Sequence, residues 1–207
     1  MKPIKIFDLA ALAALMAMAF VGASSAMAEE TALCEVDQDP CKEANQVSHV
    51  HETSVGKAIL LTSTNVECNV LFLGDVLLAG DGEYLDTPLE IHGEFTYTNC
   101  LAGLVGCSAD QENGPAEIKV LKTGHETATV TGEGLVHVVC FGFINCYYIG
   151  SSLLATAKGP LLSAQNPDNG EVSLQKQVVG FEKGTFCPTG ASLDIVTTPL
   201  NATYISS

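Results

Sequence analysis

The sequence predicts an all-β fold: an antiparallel β-sandwich, or a partly open barrel, stapled by disulfides. Three observations carry this. Short runs with apolar residues at every second position recur along the chain, separated by glycine-rich turn clusters. Helical periodicity is missing; the nearest candidate, residues 101–105, is too short and is flanked by cysteines. Eight cysteines follow a segment with the marks of an export signal.

That segment, residues 1–28, reads as a cleaved signal peptide. Lys2 and Lys5 give a basic start, Leu9 to Val21 is an apolar run, and Ala26-Met27-Ala28 is a small-x-small cleavage signal. The run falls short of the ~20 residues that span a bilayer. No second long apolar run follows, so the mature chain is expected to be secreted, soluble and without a transmembrane segment. Within it, residues 29–55 read as a polar N-terminal arm with a stapled loop, and residues 56–207 as the β-sandwich domain.

The strands are expected in this order. From Gly56 onward come "AILLT" (58–62) and "CNVLFLGDVLLA" (68–79). The clearest is "LEIHGEFTYT" (89–98), in which Leu89, Ile91, Gly93, Phe95 and Tyr97 alternate with polar residues. Then follow "EIKVLK" (117–122), "ETATVT" (126–131), "GLVHVVCF" (134–141), "SSLLATAK" (151–158), "EVSLQKQVV" (171–179) and "SLDIVTT" (192–198). Turns are expected at "GDGE", "QENGP", "GEG" and "NPDNGE", with Asn169-Gly170 suited to a type I′ hairpin. "FTYTNCLAGLVGC" and "VHVVCFGFINCYY" share one plan, which places two similar apolar loops at one end of the fold.

In an exported protein an even cysteine count reads as a disulfide framework. Eight cysteines allow 105 connectivities. Proximity favours Cys34 with Cys41, Cys100 with Cys107 and Cys140 with Cys146, which leaves Cys68 for Cys187. Spacings of five or six between cysteines fit neither zinc nor C-x-x-C redox chemistry.

Charge excludes one class of partner. The chain has 9 Lys, no Arg and 24 acidic residues; without Lys2, Lys5 and Asp8 the mature part carries 7 and 23, a net of −16. Such a surface repels phosphate backbones, so nucleic acid is not a partner.

No chemistry-bearing motif stands out. His49 and His51 share a face if extended, with Glu52 beside them, and His92 or His137 would have to complete a metal site; these read better as ordinary surface histidines. Glu90 and Glu94 lie ~13 Å apart on one strand at ~3.3 Å per residue, wider than the roughly 5–9.5 Å of glycosidase pairs. Asp37, Asp39, Asp81 and Glu83 do not follow the calcium-loop pattern. Neither a nucleophile elbow nor a phosphate-cradling loop occurs, and Asn201-Ala202-Thr203 is a formal glycosylation sequon. No cofactor, metal or catalytic residue is assigned.

"TNVECNVLFLGDV", "TYTNC…C" and "FCPTGASLDIVTTPLNATYIS" resemble segments of a group of exported bacterial β-rich proteins, with cysteines at strand ends and a C-P-x-x-G-x-L-D stretch before the last strand. The likeness covers most of the mature chain. It implies export and an all-β fold, and it carries over no site residue, because the group has no assigned activity.

The expected function is therefore a secreted, non-enzymatic binding or structural module acting on an extracellular or cell-envelope partner. Its expected contact surface is the pair of apolar loops bearing Leu101, Leu104, Phe141 and Phe143, if these do not fold back under the rim as core. Two alternatives remain. One is a hydrolase in which His92, Glu94 and His137 converge; the other is a carrier that holds a small apolar ligand in an open barrel interior.

Overall fold

The computed structural model describes residues 31–62, 65–77, 88–160 and 169–206. The strands are Ala32–Cys34 (β1), His49–Ser54 (β2), Ala58–Leu61 (β3), Val66–Val76 (β4), Leu89–Ala102 (β5), Val105–Gly124 (β6), Thr127–Cys140 (β7), Ile144–Lys158 (β8), Glu171–Thr185 (β9), Gly190–Pro199 (β10) and Tyr204–Ser206 (β11). One 3₁₀ turn, Glu43–Asn45, lies between β1 and β2.

From β4 to β10 each strand pairs antiparallel with the next. The sheet then closes. β2 pairs with β4 through Glu52↔Phe72 and with β10 through Glu52↔Pro199, while β3 pairs with β4 through Ala58↔Cys68 and with β10 through Asp194↔Ile59. β2 and β3 are thus two halves of one wall position, and the protein is a closed, eight-stranded, up-and-down barrel. The expectation of an all-β, disulfide-stapled fold holds, and of its two forms the structure shows the barrel, closed rather than partly open because both edges of the sheet are paired.

β4 shows how the sequence builds the wall. Val66, Cys68, Val70, Phe72 and Val76 point inward and are buried, whereas Glu67, Leu73 and Asp75 are exposed. Longer strands change phase partway. In β7, Ala128 and Val130 are buried before Glu133, and Leu135, Val138 and Cys140 after it, with a register shift between Gly132 and Gly134. β5 shifts near Asn99 and β9 near Lys176, both in the left-handed region at φ 52° and 48°. These bulges bend long strands around a narrow barrel.

The bulges also explain the main departures from the predicted elements. "GEG" is a bulge within one strand, β7, rather than a turn between two. "QENGP" is an excursion within the 20-residue β6. At "NPDNGE", residues 161–168 lie outside the described residues; of the final pair only Gly170 has positive φ, so Asn169-Gly170 is not a type I′ turn. "GDGE" also lies outside the described residues.

The polar arm is corrected as well. His49–Ser54 belongs to the barrel wall, so the expected boundary after residue 55 falls inside one wall position. β1 pairs with β11 as a two-stranded ribbon, Leu33 opposite Ile205. Both side chains are buried among Val47, Val50 and Leu89, closing that end of the barrel. Thr31 supports the ribbon by accepting a hydrogen bond from the Lys122 amide at 2.9 Å.

All eight cysteines are paired, but only Cys34–Cys41 follows the proximity expectation. The other bridges are Cys68–Cys100, Cys107–Cys140 and Cys146–Cys187. The physical reason lies in the hairpins. In the pairs β4–β5, β6–β7 and β8–β9 the first strand ends and the second begins on the ribbon side, so their open mouths meet at the opposite end. Each bridge closes one such mouth, while tight turns already join β5 to β6 and β7 to β8 there. Turns and bridges therefore alternate around one rim. The rim bridges span separations of 32, 33 and 41 residues, worth ~3.7 to ~3.9 kcal/mol each by loop-closure entropy, against ~2.4 for the seven-residue loop.

Replacing Cys107 and Cys140 together by alanine is expected to lower stability by ~3.7 kcal/mol, and replacing Cys34 and Cys41 by ~2.4 kcal/mol. Urea denaturation compares the two variants. Mass spectrometry of non-reduced digests should recover Cys68 joined to Cys100; Cys68 joined to Cys187 would contradict the rim arrangement.

Candidate functional site

The barrel interior holds two packed clusters. Near the stapled rim, Ala58, Val70, Ala102, Ala109, Val138, Tyr148 and the bridges fill the space. Toward the ribbon, Phe72, Leu89, Ile91, Val120, Val130 and Leu174 pack beneath Leu33 and Ile205. Phe95, Leu153, Leu193 and Ile195 touch both clusters.

Between them is a cavity of about 180 Å³ with a mainly apolar lining. Its origin is a mismatch of side-chain sizes around the wall. β4 and β5 contribute Phe72, Phe95 and Tyr97, whereas β6 to β8 set Ala116, Gly132, Gly150, Ala155 and Ala157 among larger residues such as Ile118, Tyr148 and Leu153. An eight-stranded barrel is just wide enough to be filled by its own side chains or to hold one small ligand. Here the small residues on one side leave room. Gly93 has the opposite effect: a Cβ there would meet Phe72 Cζ at 2.5 Å, so the glycine lets the Phe72 ring lie against the wall. Phe72 and Phe95 then stand with centroids 4.6 Å apart, and Tyr97 continues the row 6.3 Å from Phe95.

A few polar groups face this apolar space. Glu52 points inward beside Val50 because residues 50 and 52 share one face of β2. Thr197, itself buried, donates its hydroxyl to Glu52 Oε2. Oε1 has no hydrogen-bond partner among the described residues. Burial raises the Glu52 carboxyl above its usual pKa, and the Thr197 bond opposes that shift in part. Glu52 is half-buried and lines the cavity. The Tyr97 hydroxyl likewise lacks a partner among the described residues, and burial raises its pKa.

Gln111 has a structural task beside the cavity. The excursion of β6 separates the Gly93↔Ala116 and Thr96↔Asp110 pairs and breaks the ladder to β5. The Gln111 carboxamide fills the break. Its Oε1 accepts from Phe95 N at 2.7 Å, and its Nε2 donates to Gly114 O at 2.6 Å and Gly93 O at 3.4 Å. Asn113 and Gly114 take positive φ to make the excursion. On its outer side lies a second, shallower pocket of about 250 Å³. The two cavities share Gln111, Ala116, Glu133, Gly134, Leu135 and Gly150.

The residues singled out from sequence lie elsewhere. His49, on the outer wall, is 2.7 Å from Asp75 and exposed, and His51 also faces outward. His92 stands 3.6 Å from Glu117, Glu94 is exposed, and Glu90 pairs with Lys119 at 2.9 Å. His137 belongs to a separate outer-wall row: it is 3.5 Å from Glu112, 2.9 Å from Asn145 Oδ1, and stacked on Tyr147 at 4.2 Å. Asp39 accepts from Lys122 Nζ at 2.7 Å, Asp37 is exposed, and Asp81 and Glu83 lie outside the described residues. Among the described residues no group of three His, Cys, Asp or Glu is placed to hold a metal ion. Asn201 of the sequon is exposed.

The apolar loops do gather at one end. Leu101, Leu104, Phe141 and Phe143 are exposed on the stapled rim, at 43, 101, 44 and 59%. Phe186, which sequence reasoning passed over, joins them 6.2 Å from Phe143. Glu52, Tyr97 and Gln111 were missed as site residues. Period-two reading of "HVHETS" as a strand with Val50 inward would have turned Glu52 to the interior.

No family model, curated protein or solved structure matches the chain.

Two substitutions probe this interior. Glu52 holds its proton more tightly in the folded state than in the unfolded chain. Its contribution is therefore intact below the unfolded pKa of ~4.3 and is lost as pH rises through the raised folded value. Glu52→Gln should match the wild type near pH 4 and exceed it by ~1–3 kcal/mol in alkaline buffer, read from urea midpoints across pH. Gln111→Ala strands the Phe95 amide and should cost ~1–3 kcal/mol at every pH, with faster amide exchange at Phe95.

Proposed function

We propose that the protein is an exported, non-enzymatic binding barrel that carries a small, largely apolar ligand in its interior. The observation that carries this reading is the apolar cavity of about 180 Å³, into which Glu52 and Tyr97 bring hydrogen-bonding groups without a full set of partners. A pocket that is mostly apolar with a few convergent polar groups is the usual form of a small-molecule site. Its size suits one ring or a short chain, since an apolar cavity of about 150 Å³ holds one benzene.

Export to an oxidising, extracellular or envelope compartment is supported by four disulfides and by the N-terminal sequence pattern. The outer wall bears Glu67, Asp75, Glu90, His92 and Lys119, whereas a bilayer-spanning barrel turns an apolar band outward.

A second reading concerns the stapled rim. Phe141, Phe143 and Phe186 from two different turns form an exposed aromatic group, with Leu104 on a third. Such a patch supports contact with an extracellular or envelope partner, and it is compatible with ligand carriage in the middle of the barrel.

Toluene serves as the probe for the interior. It should bind the disulfide-intact protein saturably and shift the methyl resonances of Val130 and Leu153 in NMR spectra. Ala155→Leu, which puts three more carbons into the cavity, should retain the fold and abolish those shifts. Saturable binding that survives Ala155→Leu unchanged, or no binding at all, would contradict the reading.

A further inference from the structure

We propose that the cavity selects a small hydrophobic amine, its ammonium group set between the Glu52 carboxylate and the aromatic faces of Phe72, Phe95 and Tyr97. The inference rests on the interior being a ligand site and adds the chemical class of the ligand.

The arrangement follows from register. Glu52 pairs with Phe72, and Phe72 with Phe95, so the three inward side chains occupy one rung across β2, β4 and β5. Tyr97 is the next inward position along β5. A cation near this rung meets a Glu52 carboxylate oxygen with no hydrogen-bond partner among the described residues, beside the rings of Phe72 and Phe95. Ring faces attract ammonium groups by about 0.5–2 kcal/mol, more when water is excluded.

Charge around the cavity points the same way. Among the described residues that line it, Glu52 is the charged side chain turned inward; Glu133, Lys158 and Glu171 border the cavity but are exposed, with Lys158 opposite Glu171 on the neighbouring strand. An anionic head would therefore meet the Glu52 carboxyl, with no inward basic side chain among the described lining residues to receive it. A neutral apolar molecule would fill the space without engaging the Glu52 carboxyl. An ammonium ion satisfies it and supplies the countercharge that a buried carboxylate requires. The rest of the ligand is apolar because the remaining walls are mainly Val, Ile, Leu, Ala and Gly.

The test uses four probes of nearly equal size: benzylamine, benzyl alcohol, toluene and benzoate, titrated by calorimetry at pH 7 into the disulfide-intact protein. Benzylamine should bind at least tenfold more tightly than toluene, benzoate more weakly than toluene, and excess toluene should displace benzylamine. Glu52→Gln should remove the tenfold preference of benzylamine over toluene, and its urea midpoint near pH 4, equal to that of the wild type, shows that the variant is folded. If toluene binds but benzylamine binds no tighter, or the preference survives Glu52→Gln, or toluene fails to displace benzylamine, the amine inference falls while the cavity reading stands. If none of the probes binds, the cavity reading falls and the amine inference with it.

Discussion

Everything in this molecule depends on one wall position serving two neighbours. The β2/β3 segment offers hydrogen bonds to β4 on one side and to β10 on the other. Without it, seven antiparallel strands would form an open curved sheet with two sticky edges. With it, the edges vanish, the radius is set by the strand number, and the inward faces become a single enclosed volume. The interior chemistry follows from which side chains happen to face inward at that radius. β2 is also the strand that carries Glu52, so the element that closes the barrel delivers the one inward carboxylate on the closing strand.

The two ends of the barrel are held by different means. At one rim, three disulfides and the tight turns alternate, so that neighbouring strands from β4 to the β9–β10 connection are covalently tied. Behind that rim the interior is packed with alanines, valines and the bridges themselves. At the other end a ribbon made from the two ends of the described chain places Leu33 and Ile205 over the core. A rigid rim and a capped end permit the middle to be under-filled. Core packing elsewhere compensates for contacts that the cavity walls lack, and a cavity of this size costs the fold several kcal/mol at about 24 cal/mol per Å³. Retaining such a cost fits a site better than it fits a packing error.

The strand pattern was readable where the period of two runs unbroken, as in β4 and the first half of β5. It misled wherever a bulge changed the phase. Glu133 and the "QENGP" excursion looked like turns because the alternation stops there, yet the backbone continues in the same direction. Cysteine count was informative and cysteine proximity was not, since pairing depends on which strand ends share a rim. Barrel closure was invisible because it needs residues 49–61 to meet residues 192–199, and no local pattern encodes that contact. The exposed rim residues were recognisable as apolar loop tips. Glu52 was hidden in a segment that composition marked as a polar arm, and the cavity was hidden because it is an absence of volume spread over several strands.

The central claim is that a closed barrel keeps an apolar void beside Glu52 and the Phe72–Phe95–Tyr97 row. Xenon is the most direct probe, because it enters apolar voids and needs no polar recognition. A crystal pressurised with xenon should show one ordered atom inside the barrel, in contact with Phe95 and Leu153. Xenon confined to the outer surface, with the interior filled by repacked side chains, would contradict the account.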